Sequence, residues 1–390
     1  MNAPLSSTSN SEENRFSVAR LFRLAVWMMV WLALGDFAIQ KLFPPQGGGV
    51  GVAKFARYFD YGRSTEGKLS TLVDPRGSDL DDPIIKAGWL EPTVWASLPT
   101  QPEQGDELLV AGYGMSFNNQ LCEAAADLHG KMTLRLIAGP AAPPSHSYRA
   151  WELDEAGGEA DVAVFGVLAS SVKRMRNLSG LTWTYEHPAP FTYPIYRLEH
   201  DGLERIDPLI RTETDFREAF LERNLKWHRF SVQMRRHDDS FRSAIFFGSP
   251  ADQSAIVRLT RRAYAVKVDE KAERGLRLPK AGFDPASEEM QVLARLIGAF
   301  AEGSRARGQL PVVALYEDRG YHGQLKRALE QPLAESSVSV LASSDWIAEG
   351  DLTAFVGDGH FTPEVNHLLA GRLLEIIEQD GRDVLADVGE

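Results

Sequence analysis

Cysteine is almost missing from this chain. Cys122 is the single one in 390 residues, which excludes an intramolecular disulfide and any cysteine-built metal cage. The nine histidines show no HExxH or comparable ligand spacing, so no metal and no cofactor is expected. Positive charge is also scarce: 42 Lys and Arg stand against 54 Asp and Glu, a net charge of −12. Nucleic-acid binding is driven largely by cations displacing counterions, so that class of partner is disfavoured. The basic pairs Arg235-Arg236 and Arg261-Arg262 are too short to reverse this and read as solvated helix faces. No solenoid-type repeat is visible. The chain length suggests two or three structural units, at about 150 residues per domain.

A clean apolar run of membrane-spanning length is missing too. LAVWMMVWLALG, from Leu24 to Gly35, is uninterrupted, but the roughly 20 residues a bilayer core demands are reached only by including Asp36, Gln40 and Lys41. No small-x-small cleavage site is evident near Gly35 to Ile39, so residues 24–43 read as an uncleaved signal anchor, with an amphipathic or buried helix as the alternative. Residues 1–23 read as a flexible cytoplasmic tail. Arg15, Arg20 and Arg23 precede the run and favour a cytoplasmic N-terminus; the rest of the chain is expected on the periplasmic side of a bacterial inner membrane. Pro44-Pro45 and Gly47-Gly48-Gly49 then read as a hinge. Residues 44–104 are expected to be a juxtamembrane linker with a short helix in YFDYGRSTEGKL.

Beyond residue 105 the pattern changes. Strand-length runs, nearly continuous in Val, Leu, Ile and Ala, occur at Glu107 to Ala111, Thr133 to Ala138, Asp161 to Ala169, Pro311 to Tyr316 and Ser337 to Leu341. Helical patterns fall at Phe117 to Leu128, Glu288 to Arg305, Gln324 to Leu333 and Pro363 to Gln379. Strands apolar on both faces suggest a parallel sheet covered on both sides. The expected fold is therefore α/β: a doubly wound, flavodoxin-like parallel sheet of five strands spanning 105–390, preceded by a transmembrane helix. Residues 172–285 interrupt the rhythm with LTWTYEHPAPFTYP and Arg- and Glu-rich helical material, and read as an insertion.

In open α/β sheets, ligands bind beyond the carboxyl ends of the strands. The first strand runs into Gly112-Tyr113-Gly114-Met115-Ser116 and a helix, a position where backbone N–H groups and the helix dipole favour a developing anion. The last strand leads to Gly357-Asp358-Gly359-His360-Phe361-Thr362-Pro363 and another helix. Asp and His two residues apart can form the orienting half of a triad. Each motif alone is weak, since a serine after a strand is commonly an N-cap and Asp-Gly-His a turn. Together they fall at the same edge of the expected sheet. His146, Glu317 and Asp318 are lesser candidates, with Arg319 expected to pair with the two acids. Trp183, Tyr185, Phe191 and Tyr193 could stack on sugar rings or pack a core.

These blocks resemble the SGNH (GDSL-type) hydrolase superfamily. Gly114-Met115-Ser116 is similar to its Gly-Asp-Ser block, with Met115 in place of Asp, and DGHFTPEVNHLLAGRLL resembles its late Asp-His block. The resemblance covers residues 105–171 and 286–385. It implies Ser116 as nucleophile, His360 as general base and then acid, and Asp358 as its partner. The family's Gly-x-Asn-Asp block has no Asn in Phe165 to Ser171, which leaves the oxyanion to the N–H of Ser116, a group near Gly139, and Ser170 or Ser171. Membrane-anchored relatives that O-acetylate or deacetylate exported polysaccharides diverge similarly. The implied function is a serine-dependent O-acyl esterase or acetyltransferase, chiefly for acetyl groups, acting on an envelope polysaccharide within an envelope protein complex. A lysophospholipase or thioesterase, or a catalytically silent scaffold, is the alternative.

Overall fold

In a computed structural model, which describes residues 18–42, 59–73, 86–200, 202–279 and 282–387, the apolar run forms a single helix, α1 (Val18–Leu42). Its stretch Arg20–Leu42 is long and apolar enough to cross a membrane, and Trp27, Met28, Met29 and Trp31 lie bare on its surface. The helix already includes residues assigned above to a tail, while the Pro/Gly hinge lies outside the described residues. The polar residues at its far end have partners: Asp36 Oδ1 accepts from Ile256 N (3.0 Å) and Ser254 Oγ (3.0 Å), and Gln40 Nε2 donates to Gln253 O (2.9 Å).

Residues 59–73 and 86–98, expected as linker, contribute to packed cores: Leu69, Val73 and Trp89 sit with the insertion, and Trp95 with the sheet. The expected short helix begins later, at Thr65–Leu72, because Ser64 caps it through Gly67 N.

The first strands are β1 (Leu108–Gly114), β2 (Met132–Ala138) and β3 (Val162–Leu168), with α2 (Ser116–His129) after β1 and α3 (Pro144–Leu153) after β2. The insertion follows, with a hairpin Ile195–Glu199/Gly202–Ile206, the helices α4 (Glu213–Glu222), α5 (Leu225–His237) and the long α6 (Ala255–Leu276), and a single turn at Ser243–Phe246. Then come α7 (Glu288–Ala306), β4 (Leu310–Tyr316), α8 (Gln324–Ser336), β5 (Ser339–Ala342) and α9 (Pro363–Asp387). The five sheet strands are all parallel, in the order β2-β1-β3-β4-β5.

The near-continuous apolar composition of the strands has a direct cause, since successive side chains point to opposite faces and both faces are buried. Leu109, Ala111, Phe165, Val167 and Val313 meet Trp151 of α3 and Leu296 and Phe300 of α7 on one side. Val110, Val164 and Val312 meet Leu121 and Cys122 of α2 and Leu373 of α9 on the other. A third core, rich in rings (Phe216, Trp227, Phe230, Phe246), makes the insertion a folded unit. Burying each such ring contributes roughly 1.5–3 kcal/mol.

Within the insertion, α6 links α1 to the sheet. One end receives Asp36 of α1, and near the other Glu273 meets Lys173 Nζ (2.9 Å) and Tyr321 (3.0 Å), which follow β3 and β4.

Candidate active site

Because all five strands are parallel, everything that follows a strand gathers at one edge. Ser116 is the first residue of α2, and Met115 makes the turn in extended backbone. Ser116 is not the cap: Asn118 N and Asn119 N both donate to Met115 O, which leaves the serine side chain unused by the helix. Its Oγ lies 2.7 Å from His360 Nε2. For that oxygen to donate to Nε2, the imidazole carries its proton on Nδ1, which lies 3.1 Å from Asp358 Oδ1.

The histidine is presented by a short hairpin. Phe355 and Phe361 form a bridge, Gly359 N donates to Val356 O and Val356 N to His360 O. Gly359 takes φ +98°, a conformation that L side chains resist, so a glycine belongs there. Asp358 Oδ1 also accepts the backbone N–H of His360 at 3.1 Å, and that bond with the imidazole holds its carboxyl below the usual carboxylate range. The pair is open to water: the Asp358 side chain is 68% exposed and that of His360 27%, so screening weakens their attraction. The ring of Phe117 stacks on the imidazole, with centroids 4.9 Å apart, and packs edge-on against Phe361.

Under the serine lies an amide. Asn118, fully buried, accepts from Tyr316 OH at 2.9 Å and fills space that glycines leave open. A Cβ on Gly114 would come within 2.5 Å of Asn118 Cβ, and one on Gly166 within 2.7 Å of its Oδ1. Glycine inside strands is the sequence mark of such a close approach, and here it fixes the first turn of α2 against β1, β3 and β4.

The other predicted site residues fall differently. Gly139 follows β2, but its N–H donates to Gly114 O at 3.3 Å. Ser170 follows β3, and its N–H donates to Asp318 Oδ1 at 3.1 Å. Neither donor is free for an oxyanion. The N–H groups of Ser116 and Phe117 begin a helix and have no intrahelical acceptor. His146 is buried on α3, 2.7 Å from Gly88 O, and burial draws its pKa down to about 4. Glu317 accepts from Lys326 N. Arg319 pairs with neither acid beside it; its Nη2 donates to Val356 O at 2.6 Å and braces the histidine hairpin. Phe191 and Tyr193 are fully buried, Tyr185 nearly so, and Trp183 Nε1 bonds Tyr193 OH, which is core packing. Arg261, read as solvated, is buried and paired with Asp252 at 2.6 Å.

Hydroxyl, imidazole and carboxylate in hydrogen-bonded sequence at a helix N-terminus can deprotonate the serine and stabilise a negative oxygen beside it. No protein-family model, curated protein or solved structure matches the chain.

Proposed function

We propose that this chain is a serine-dependent O-acyl esterase or acetyltransferase of SGNH type, with a flavodoxin-like sheet. In this reading α1 tethers it to a bacterial inner membrane, and the site faces envelope polysaccharide. The observation that carries the reading is the 2.7 Å contact between Ser116 Oγ and His360 Nε2, with Asp358 behind the imidazole. His360 Nε2 takes the hydroxyl proton as Ser116 Oγ attacks the ester carbonyl, and the tetrahedral oxyanion forms against the N–H groups of Ser116 and Phe117. The imidazolium then gives its proton to the departing alkoxide oxygen, leaving the acyl group on Ser116. Water or a sugar hydroxyl, deprotonated by the same nitrogen, takes the acyl group and regenerates the serine. A fluorophosphonate probe should label the wild type and spare Ser116→Ala; equal labelling of both, or of neither, overturns the proposal. Turnover of acetyl against long-chain esters separates this activity from a lysophospholipase or thioesterase.

The commitment of the Gly139 and Ser170 N–H groups favours a second reading, a catalytically silent scaffold of an envelope complex. Full complementation of a deletion by Ser116→Ala would establish it.

A further inference from the structure

Helix α5, LKWHRFSVQMRRH, carries four Lys or Arg and no acidic residue in a chain of net charge −12. One stripe of it, Trp227, Phe230, Ser231 and Met234, is buried in the insertion core. The opposite stripe is exposed at Leu225, His228, Arg229, Val232, Arg235 and Arg236, positions that recur at helical spacing. Arg229, Arg235 and Arg236 form no ion pair among the described residues, and Leu225 and Val232 are 61% and 47% exposed between them. Leu221, near the end of α4, is a further exposed apolar side chain. Apolar side chains flanked by arginine are the chemistry of a helix lying in the interface of an acidic bilayer.

The helix is also wired to the anchor. Gln40 of α1 bonds Gln253 O, and the neighbouring Asp252 takes the Ser64 hydroxyl at 2.5 Å. Two residues on, Glu66 accepts from Trp227 Nε1 of α5 at 2.8 Å and from Gly248 N at 3.0 Å. We infer that the exposed face of α5 is a membrane-docking surface that seats the insertion on anionic phospholipid headgroups next to the point where α1 leaves the bilayer. The apolar pair enters the headgroup region while the three arginines meet phosphate. This rests on the anchor reading of α1 and is independent of the triad.

The test uses the full chain in nanodiscs of phosphatidylcholine, alone or mixed with phosphatidylglycerol. Val232→Cys takes an environment-sensitive fluorophore, because the native Cys122 is fully buried. Glu302→Cys, exposed on α7, serves as the control site. In mixed discs the label at position 232 should shift to the blue and be quenched by spin-labelled lipid, while the control label is not. Reversing Arg229, Arg235 and Arg236 to Glu should shift the docked population by at least on the order of 10², since losing each cation near an acidic surface alone removes about a fivefold preference. Fluorophosphonate labelling of Ser116 should survive that reversal, which separates docking from folding and from the triad. A label at 232 that behaves alike in both discs overturns the inference, as does one that responds instead to a soluble acidic polysaccharide. Failure of the chain to comigrate with lipid overturns it together with the anchor, and leaves the triad proposal standing.

Discussion

At the residue scale, the exposed Asp358 is the member of the proposed triad whose role is most open to a clean experiment. Asp358→Asn keeps size and exposure but favours the wrong imidazole tautomer and cannot support an imidazolium, so acylation should slow by on the order of 10² or more with little change in KM. A loss no larger than that of a surface substitution would reduce the hairpin to a structural turn. The sequence disclosed Ser116, Asp358 and His360 because strand ends and short Gly-flanked loops are local features. It did not disclose Phe117 or Arg319, whose contacts with the histidine hairpin join residues far apart in the chain. A second prediction concerns pH. Lys68 is buried beside the Tyr185 ring, and burial draws its pKa from 10.5 down to about 7. Between those values the unfolded chain binds the extra proton, so stability is fully present above about 10.5 and is lost as pH falls through about 7. Lys68→Met should remove this dependence and raise stability at and below neutral pH by a few kcal/mol at most, read as a higher melting temperature there. An unchanged profile would show that the ammonium is solvated.

At the scale of elements, the seat of α2 depends on what the strands omit. Gly166→Ala would place a methyl against the Asn118 side chain close to its root, so the first turn of α2 must move. Overpacking of this kind costs about 1–3 kcal/mol. The expected result is slower acylation of Ser116 with an unchanged far-ultraviolet circular dichroism spectrum. Labelling at the wild-type rate would show that the wedge has no part in positioning. The glycines in VAGYG and VFGVL were the visible sign of this arrangement, but the residue they admit comes from the next helix and could not be identified from the strands. Helix α3 was missed for a related reason. Its start, Pro143-Pro144-Ser145, reads as a turn, while proline in the first turn suits a helix because the missing N–H would be unbonded there anyway.

For the whole molecule, the five strands were legible to within a few residues because burial on both faces writes itself into composition. The role of residues 59–73 was not, since partners such as Tyr185, Trp227 and Asp252 lie more than a hundred residues away in the insertion. Topology is tested directly: a C-terminal alkaline phosphatase fusion should be active and the protein should resist carbonate extraction, whereas a soluble cytoplasmic product would remove the anchor. Asp36 and Gln40, which looked like defects in the span, are the residues by which α1 grips the start of α6 and the turn before it. At 22 residues, α6 is about 33 Å long and runs from that grip to the loops after β3 and β4. Under the proposed anchoring it acts as a stiff arm, so the reacting edge keeps to a narrow shell around each anchor. A rigid tether concentrates encounters at its own radius and gives little advantage nearer or farther. Ester groups would then be chosen by their distance from the arm's foot as well as by their chemistry.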